Sequence, residues 1–324
     1  MNLPRATMLL ISYNQEHYIE QALEAAVAQD YANLEIVVSD DASTDSTFER
    51  IQTFCAGYVG PHRLIVNRNP RNLGIGANLS HAVGLASGEL FFITAGDDIS
   101  LPDRVSRVMQ FWLARDRVPD LIACHLLDMD ENGAMGQEIR IADLANYRSL
   151  DDWAARPPHV IGAAQAWTAR LFHRFGGIPA GVVGEDMVMA FRAVGLGTAV
   201  TYPHPVIRYR RGGLTTQRKS MTVAAVIKGL TRKVRSSQIE LQAMLDAARS
   251  LQASPRVEDF LLGRLRREQY IEAMFHGKHP VSDFLAFAGV DLGFRLRVAV
   301  YALCPGVLEP FFFLKRKKRK WKEK

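Results

Sequence analysis

Long apolar runs are missing from this sequence of 324 residues. No stretch of eighteen residues is apolar and free of charge, and the best candidate, residues 284–303, contains Asp291, Arg295 and Arg297. A membrane-spanning helix needs roughly 20 apolar residues, so we expect none here. The N-terminal apolar run, Met8–Ile11, is too short for the core of a signal peptide, which spans about 7–15 residues.

Cysteine is also scarce. The three cysteines, Cys55, Cys124 and Cys304, lie far apart, and none has CxxC spacing. This pattern argues against a disulfide framework or a thiolate zinc site and fits a reducing compartment. The sequence therefore predicts a cytoplasmic protein.

Excess positive charge is confined to one end of the chain. Residues 315–324 read KRKKRKWKEK and carry a net +7, whereas the whole chain carries +6, so residues 1–314 sum to about −1. A nucleic-acid-binding domain would carry its basic residues on the folded part, so we expect no nucleic-acid partner.

The segment before this basic run is rich in phenylalanine. Exposed aromatic side chains beside clustered Lys and Arg suit an anionic lipid surface. We therefore predict that residues 303–324 contact the inner face of the plasma membrane. The alternative is a solvated tail whose aromatic residues pack on the protein itself.

Short apolar runs alternate with helix-like stripes through the first hundred residues. Strands are predicted at 7–11, 34–38, 63–66 and 90–94. Between the first two, Ile19, Leu23, Ala26 and Val27 form a helical stripe. This alternation predicts an α/β fold with a mostly parallel sheet and helices on both faces. Ligands of such sheets bind at the carboxyl ends of the strands.

The pattern changes twice further along the chain. Residues 101–217 mix helices, near 103–115 and 185–193, with a strand near 121–127, and the chain beyond residue 218 is mainly helical. We therefore predict three parts, residues 1–100, 101–217 and a helical extension at 218–324.

The first of three acidic segments reads SDDASTD over residues 39–45, directly after a predicted strand. A carboxylate at the end of a strand can accept a hydrogen bond from the N–H of a pyrimidine base. The alternative is structural: Ser43 or Thr44 caps the next helix, and the aspartates lie in a solvated turn.

The second acidic segment reads AGDD over residues 95–98, after the strand predicted at 90–94. Two adjacent carboxylates on a tight turn suit a hard divalent cation that also binds diphosphate oxygens. The alternative is an Asp-rich turn before a helix that begins near Pro102.

The third acidic segment reads GED over residues 184–186 and opens an amphipathic stretch. Acidic residues in a first helical turn interact favourably with the helix dipole. A buried carboxylate there could also act as the general base that deprotonates an acceptor hydroxyl.

In combination, these segments resemble the family 2 glycosyltransferases of the GT-A fold over about residues 6–217. The matching segments are LISYNQE (10–16), AQDYANLEIVVSDDASTD (28–45), NLGIG (72–76), ASGE (86–89), GDD (96–98), LPDR (101–104), GED (184–186) and VIRYRR (206–211). The sequence departs from the family pattern at Ala95, which replaces the first Asp of a D-x-D element, and at Gly212, where a histidine is frequent.

The resemblance implies a role for each matching residue. Tyr13 would stack on a pyrimidine ring and Asp41 would hydrogen-bond to it, Asp97 would bind Mg²⁺ or Mn²⁺, and Asp186 would be the catalytic base. The other donor-binding residues that it implies are Ser12, Glu16, Asp40 and Asp98. Three arginines of the last segment could steady the leaving diphosphate or could be solvated: Arg208, Arg210 and Arg211.

The implied activity is inverting transfer of a sugar from a nucleotide diphosphate donor, with a UDP- or dTDP-sugar favoured, to a hydroxyl acceptor. The acceptor would be a precursor of a cell-surface polysaccharide or a lipid-linked glycan. A non-catalytic nucleotide-sugar or carbohydrate-binding module on the same fold is the alternative, and Ala95 supports it. A sugar nucleotidyltransferase would need a glycine-rich loop after the first strand, where residues 13–16 read YNQE.

Overall fold

The computed structural model describes residues 3–211, 222–308 and 310. Within these residues one sheet has nine strands. In chain order they are β1 (Ala6–Ser12), β2 (Leu34–Asp40), β3 (Arg63–Arg68), β4 (Leu90–Ala95), β5 (Ile99–Ser100), β6 (Leu121–Met129), β7 (Met135–Ile139), β8 (Gln165–Thr168) and β9 (Ala199–Arg210).

Helices connect and cover these strands. The first seven are α1 (Ile19–Val27), α2 (Thr47–Gly57), α3 (Ile75–Leu85), α4 (Arg104–Leu113), α5 (Leu150–Ala155), α6 (Ala169–Arg174) and α7 (Glu185–Gly195). The predicted helices and strands begin and end within two residues of their observed bounds. Their apolar runs and helical apolar patterns are long and uninterrupted, so the sequence defines their ends clearly.

The first half of the sheet is parallel, in the order β3-β2-β1-β4. Every residue of β1 and of β2 is buried, as expected for strands that are covered on both faces. In register, Ser12 faces Asp40 and Ile11 faces Ala95, so the carboxyl ends of β1, β2 and β4 meet at one edge.

The second half continues the same sheet as β4-β8-β6-β9-β5, with β7 paired to β6. Strand β8 runs antiparallel to both β4 and β6, while β9 is parallel to β6. Strand β9 then pairs antiparallel with the short β5, where Ile99 faces Arg208. The predicted fold class is confirmed, with antiparallel strands joined to the parallel half.

The chain after the sheet is helical, as predicted. It forms α8 (Val223–Ser250), α9 (Pro255–His276), α10 (Pro280–Ala286) and α11 (Leu292–Leu303). Residues such as Leu245, Ala248 and Leu261 belong to the main core, whereas Tyr270 and Val298 lie in a smaller, separate core. The extension is thus anchored to the sheet domain at one end and buries its own apolar residues at the other.

None of the helices within residues 3–211 and 222–308 is long and apolar enough to cross a membrane. Gly212, the phenylalanine-rich segment after residue 310 and the basic run 315–324 lie outside the described residues.

Candidate active site

A cavity of about 430 Å³ opens where the parallel strands end. Its wall combines residues that follow β1, β2 and β4 with others from the start of α7 and the end of β9. Six of the eight predicted site residues line it, namely Ser12, Tyr13, Asp41, Asp97, Asp98 and Asp186.

Asp41 is held firmly at one side of this cavity. Its Oδ1 accepts hydrogen bonds from the Leu73 N–H at 2.8 Å and the Asn69 amide at 2.9 Å, and its Oδ2 accepts one from the Gly74 N–H at 2.8 Å. Gly74 has a φ of +82°, a conformation that favours glycine. Because a carboxylate offers about four acceptor sites, one site on Asp41 stays available to a ligand.

Glu16 and Asp40, the other two predicted donor-binding residues, are not part of the cavity wall. Asp40 is fully buried and accepts the Ser43 N–H at 2.9 Å, and Glu16 accepts the Ser46 N–H at 3.0 Å. Both carboxylates therefore secure the turn after β2 that carries Asp41. Their placement does not support direct contact with a donor.

The acidic turn between β4 and β5 presents its two carboxylates differently. Asp98 is buried, and its Oδ1 accepts the Arg210 N–H at 2.9 Å. Burial and the neighbouring Asp97 raise the pKa of Asp98 well above its usual range. Asp97 is partly exposed to the cavity, and burial raises its pKa too, against the attraction of Arg210. Asp97 is therefore the better placed carboxylate for a ligand.

Asp97 can bind a hard cation only with help from other oxygen atoms. Within residues 3–211 and 222–308 no three His, Cys, Asp or Glu side chains are grouped to hold a metal ion. A divalent cation at Asp97 would need diphosphate and water oxygens as its remaining ligands, and this all-oxygen set suits Mg²⁺ or Mn²⁺.

The three arginines of β9 and its end have different environments. Arg210 is buried over the Tyr18 ring at 4.4 Å, and its guanidinium donates to the Asp97 carbonyl at 2.9 Å and to Gln21 at 2.8 Å. Arg211 pairs with Asp128, and Arg208 is exposed. Arg210 thus connects the acidic turn to α1, a structural function that neither sequence-based alternative included.

Asp186 lies in the first turn of α7. Its Oδ2 accepts the Gly162 N–H at 3.1 Å and its Oδ1 accepts the Met187 N–H at 2.7 Å. Burial raises the pKa of Asp186 to about 6, although these two N–H groups oppose the shift. A Cβ at Gly162 would lie 2.7 Å from Glu185 Oε1 and 3.2 Å from Asp186 Cβ, so a larger residue there would displace the Glu185 carboxylate.

Sequence analysis missed three residues around Asp186. Tyr209 lines the cavity, and burial together with Asp98, Asp97 and Asp186 raises its pKa to about 12. Those aspartates therefore lie near one phenol, although the chain separates them widely. Tyr209 sits in the VIRYRR segment, so a signal for it was available.

Glu185 and Glu240 are the other two residues near Asp186 that sequence analysis did not identify. Glu185 is buried in the cavity wall, and burial with the adjacent Asp186 raises its pKa well above the usual range. Glu240, on α8, accepts the N–H groups of Val183 at 3.0 Å and of Gly184 at 2.8 Å. No local sequence pattern identifies Glu240, because its contacts lie 56 or more residues away.

The donor-side part of the site, with Asp41 and Asp97, lies in the part of the chain that matches a known family, whereas Asp186 lies beyond it. Residues 7–148 match the model of glycosyl transferase family 2. The match covers 142 of the 324 residues, somewhat less than half of the chain. The recognition made from the acidic segments is therefore confirmed.

Two curated relatives illustrate the extent of the match. EpsE of Bacillus subtilis is 31% identical over 136 residues, which are 42% of this chain and 48% of the relative. The abequosyltransferase RfbV of Salmonella typhimurium is 36% identical over 131 residues, 40% of this chain and 37% of the relative. These matches span about half or less of each relative's length.

A solved structure covers more of the chain at lower identity. The mannosyltransferase PcManGT from Pyrobaculum calidifontis, in complex with GDP-Man and Mn²⁺, aligns with a TM-score of 0.54 and 20% identity. The alignment covers 95% of this chain and 87% of that one. This likeness shows the fold.

Proposed function

We propose that this protein is an inverting family 2 glycosyltransferase that uses a UDP- or dTDP-sugar. The observation that carries the proposal is that Asp41, Asp97 and Asp186, from three separate segments of the chain, line one and the same cavity. In this proposal residues 1–100 bind the donor, residues 101–217 bind the acceptor, and residues 218–324 form the extension.

Donor binding is assigned to the side of the cavity near Asp41. The three protein donors on Asp41 fix its carboxylate in one orientation, and its remaining acceptor site would take the N3–H of a pyrimidine. Tyr13, in the same wall, would stack on the base, and Ser12 and Asp98 lie further along the wall.

Metal dependence is the second part of the proposal. Asp97 would hold Mg²⁺ or Mn²⁺ together with the donor diphosphate, and the Mn²⁺ in the PcManGT complex supports this choice. Such an ion would supply Lewis-acid neutralisation of the charge on the departing diphosphate. Arg210 would keep the turn that carries Asp97 in place through its hydrogen bond to the Asp97 carbonyl.

Asp186 would be the general base. The acceptor oxygen attacks the anomeric carbon, its proton passes to the Asp186 carboxylate, and the bond from that carbon to the diphosphate oxygen breaks. A single displacement of this kind inverts the anomeric carbon. A carboxyl group with a pKa near 6 suits the task, because it is ionised at neutral pH and more basic than an ordinary aspartate.

The acceptor would be a hydroxyl of a glycan or lipid-linked precursor of a cell-surface polysaccharide. The name of the relative RfbV, an abequosyltransferase, supports transfer of a sugar, and the choice of acceptor follows from the family resemblance. Cytoplasmic nucleotide sugars would meet a lipid-linked acceptor at the membrane.

Contact with an anionic membrane would bring the enzyme to that acceptor. One face of α11 supports this, because Leu292, Leu296, Val300 and Leu303 follow helical spacing and are 54%, 52%, 37% and 53% exposed. The opposite face packs Val298 into the smaller core. A helix that is apolar on both faces needs a second apolar environment, and the basic run 315–324 follows it in sequence.

A nucleotide-sugar panel tests the proposal. Thermal shift with Mn²⁺ would identify the donor, and transfer to a glycan or lipid-linked acceptor would then be measured with that donor. Stabilisation by a nucleotide sugar with neither transfer nor donor hydrolysis would favour the non-catalytic binding module instead.

A further inference from the structure

Helix α8 of the extension reaches the loop that leads into Asp186. Glu240 Oε1 accepts the N–H groups of Val183 and Gly184, at 3.0 and 2.8 Å, immediately before α7 begins at Glu185. The first N–H groups of a helix have no partner within the helix, and an anionic acceptor near them also interacts favourably with the helix dipole. One side chain of the extension thus caps the helix that carries Asp186.

A second contact from α8 lies beside the first. Gly181 has a φ of +88°, and a Cβ there would lie 2.6 Å from Ile239 Cδ1. The adjacent residues Ile239 and Glu240 therefore hold residues 181–184 by packing and by hydrogen bonds respectively. Gly184 is close enough to Glu240 that an added Cβ would lie 3.2 Å from its Oε2.

The same loop is held from the donor side by α3. The Gly76 N–H donates to the Val182 carbonyl at 3.2 Å, and the Ser80 hydroxyl donates to the Ile178 carbonyl at 3.2 Å. Helix α3 begins next to Gly74, whose N–H binds Asp41. The loop 178–184 is thus fixed between the donor-binding side and the extension.

We infer that Glu240 is a positioning residue that sets the placement of Asp186, and that the helical extension is therefore part of the active site. This inference rests on the proposed function for the reaction itself. Glu240 acts through the backbone of residues 183–184 rather than on substrate. The hydrogen bonds of Glu240 fix the backbone immediately before α7, and Asp186 is the second residue of that helix.

The kinetic test compares Glu240→Ala, Glu240→Gln and the control Gln242→Ala. Gln242 lies on the exposed face of the same helix and bonds to Asp246. Glu240→Ala is expected to lower kcat by about 10–100-fold, because small misplacement of a catalytic group is costly, with the donor KM changed less than about threefold. Glutamine keeps the acceptor oxygen, so Glu240→Gln should recover most of kcat.

Hydrogen exchange tests the same inference without any activity. In the full-length protein, the backbone amides of residues 181–188 should exchange at least about tenfold faster in Glu240→Ala than in the wild type. The Glu240→Gln and Gln242→Ala proteins should keep near wild-type protection there. Unchanged protection in Glu240→Ala would overturn the inference even for a protein with no transferase activity.

The two measurements separate the possible failures. Lost protection without any transfer by the wild type would contradict the proposed function and leave the contact of Glu240 with the α7 start intact. Equal loss of kcat in the alanine and glutamine variants would contradict positioning, since the glutamine retains the hydrogen-bond acceptor. A rise in donor KM alone would also contradict it.

Discussion

The main-chain N–H of Arg210 donates a 2.9 Å hydrogen bond to Oδ1 of Asp98, across 112 positions of sequence. This bond joins the end of β9 to the turn that carries Asp97. The Arg210 guanidinium strengthens the connection by donating to the Asp97 carbonyl at 2.9 Å. The second aspartate of the acidic turn therefore holds the turn, and the first faces the cavity.

Because Asp98 is buried and Asp97 faces the cavity, replacing each by alanine should change the stability of the protein by different amounts. Asp98→Ala leaves the buried Arg210 N–H without its acceptor, which should lower the free energy of unfolding by about 1–3 kcal/mol. Asp97→Ala removes a partly buried carboxylate whose pKa is already raised and should cost less than about 1 kcal/mol. Urea unfolding at pH 7 measures both. Equal destabilisation by the two substitutions would contradict the assignment.

The donor site predicts two distinguishable losses of binding. Asp97→Ala should remove the Mn²⁺ dependence of UDP affinity, because it takes away the carboxylate that faces the cavity. Asp41→Ala should weaken UDP with or without Mn²⁺. Calorimetry of both variants with UDP, in Mn²⁺ and in EDTA, checks the prediction. Metal-dependent UDP binding equal to wild type in Asp97→Ala would disprove the metal assignment.

Stability should depend on pH through Asp186. Its folded pKa of about 6 lies above the ordinary value of 3.8, so folding favours the protonated form. The stability that this gives is present below about pH 4 and is lost as the pH rises through 6. Because asparagine stays neutral, the free energy of unfolding of Asp186→Asn relative to the wild type should be higher at pH 8 than at pH 4.5, by about 1–3 kcal/mol. Its single acceptor oxygen cannot accept both the Gly162 and the Met187 N–H groups, and this loss is the same at both pH values.

Thermal melts of the wild type and Asp186→Asn across this pH range measure the difference. Asp283→Asn is a matched control, since Asp283 lies on α10 away from the cavity. A difference between wild type and Asp186→Asn that is the same at pH 4.5 and pH 8 would contradict the raised pKa.

Sequence reasoning located the fold well where local patterns were strong. Strands β1, β2 and β4 were predicted because buried parallel strands are apolar without interruption. Strand β8 was missed because it has only four residues. Site residues such as Asp41 and Asp186 were predicted because each directly follows a strand or begins a helix.

Sequence reasoning failed where a contact depends on tertiary packing. Asp40 and Asp41 are adjacent and chemically equal in sequence, and only the turn decides that Asp40 faces Ser43 while Asp41 faces the cavity. Gly162 and Glu240 lack any local signal, since their partners lie 24 and 56 residues away.

Membrane contact predicts a vesicle-binding difference. Leu296→Ser with Val300→Ser should reduce co-sedimentation with anionic vesicles at least about fivefold, because the exposed face of α11 loses its apolar side chains. A form ending at Leu314 should lose binding at low salt, because it lacks the basic run. Val59→Ser is the control, since Val59 is 99% exposed on another part of the surface.

Neutral vesicles and high salt complete that experiment. Binding should fall in both conditions, because electrostatic attraction to anionic lipid is screened by salt. Equal sedimentation of the full-length and shortened forms on anionic vesicles would rule out a contribution from the basic run.

The central claim is that Asp186 is the base for sugar transfer within a cavity that Asp41 and Asp97 prepare for the donor. The most direct measurement is the transfer rate of Asp186→Asn at saturating donor, beside its donor affinity by calorimetry. The account predicts a loss of rate of about 10²–10⁴-fold with nearly unchanged donor affinity. A variant that transfers sugar at close to the wild-type rate would contradict it.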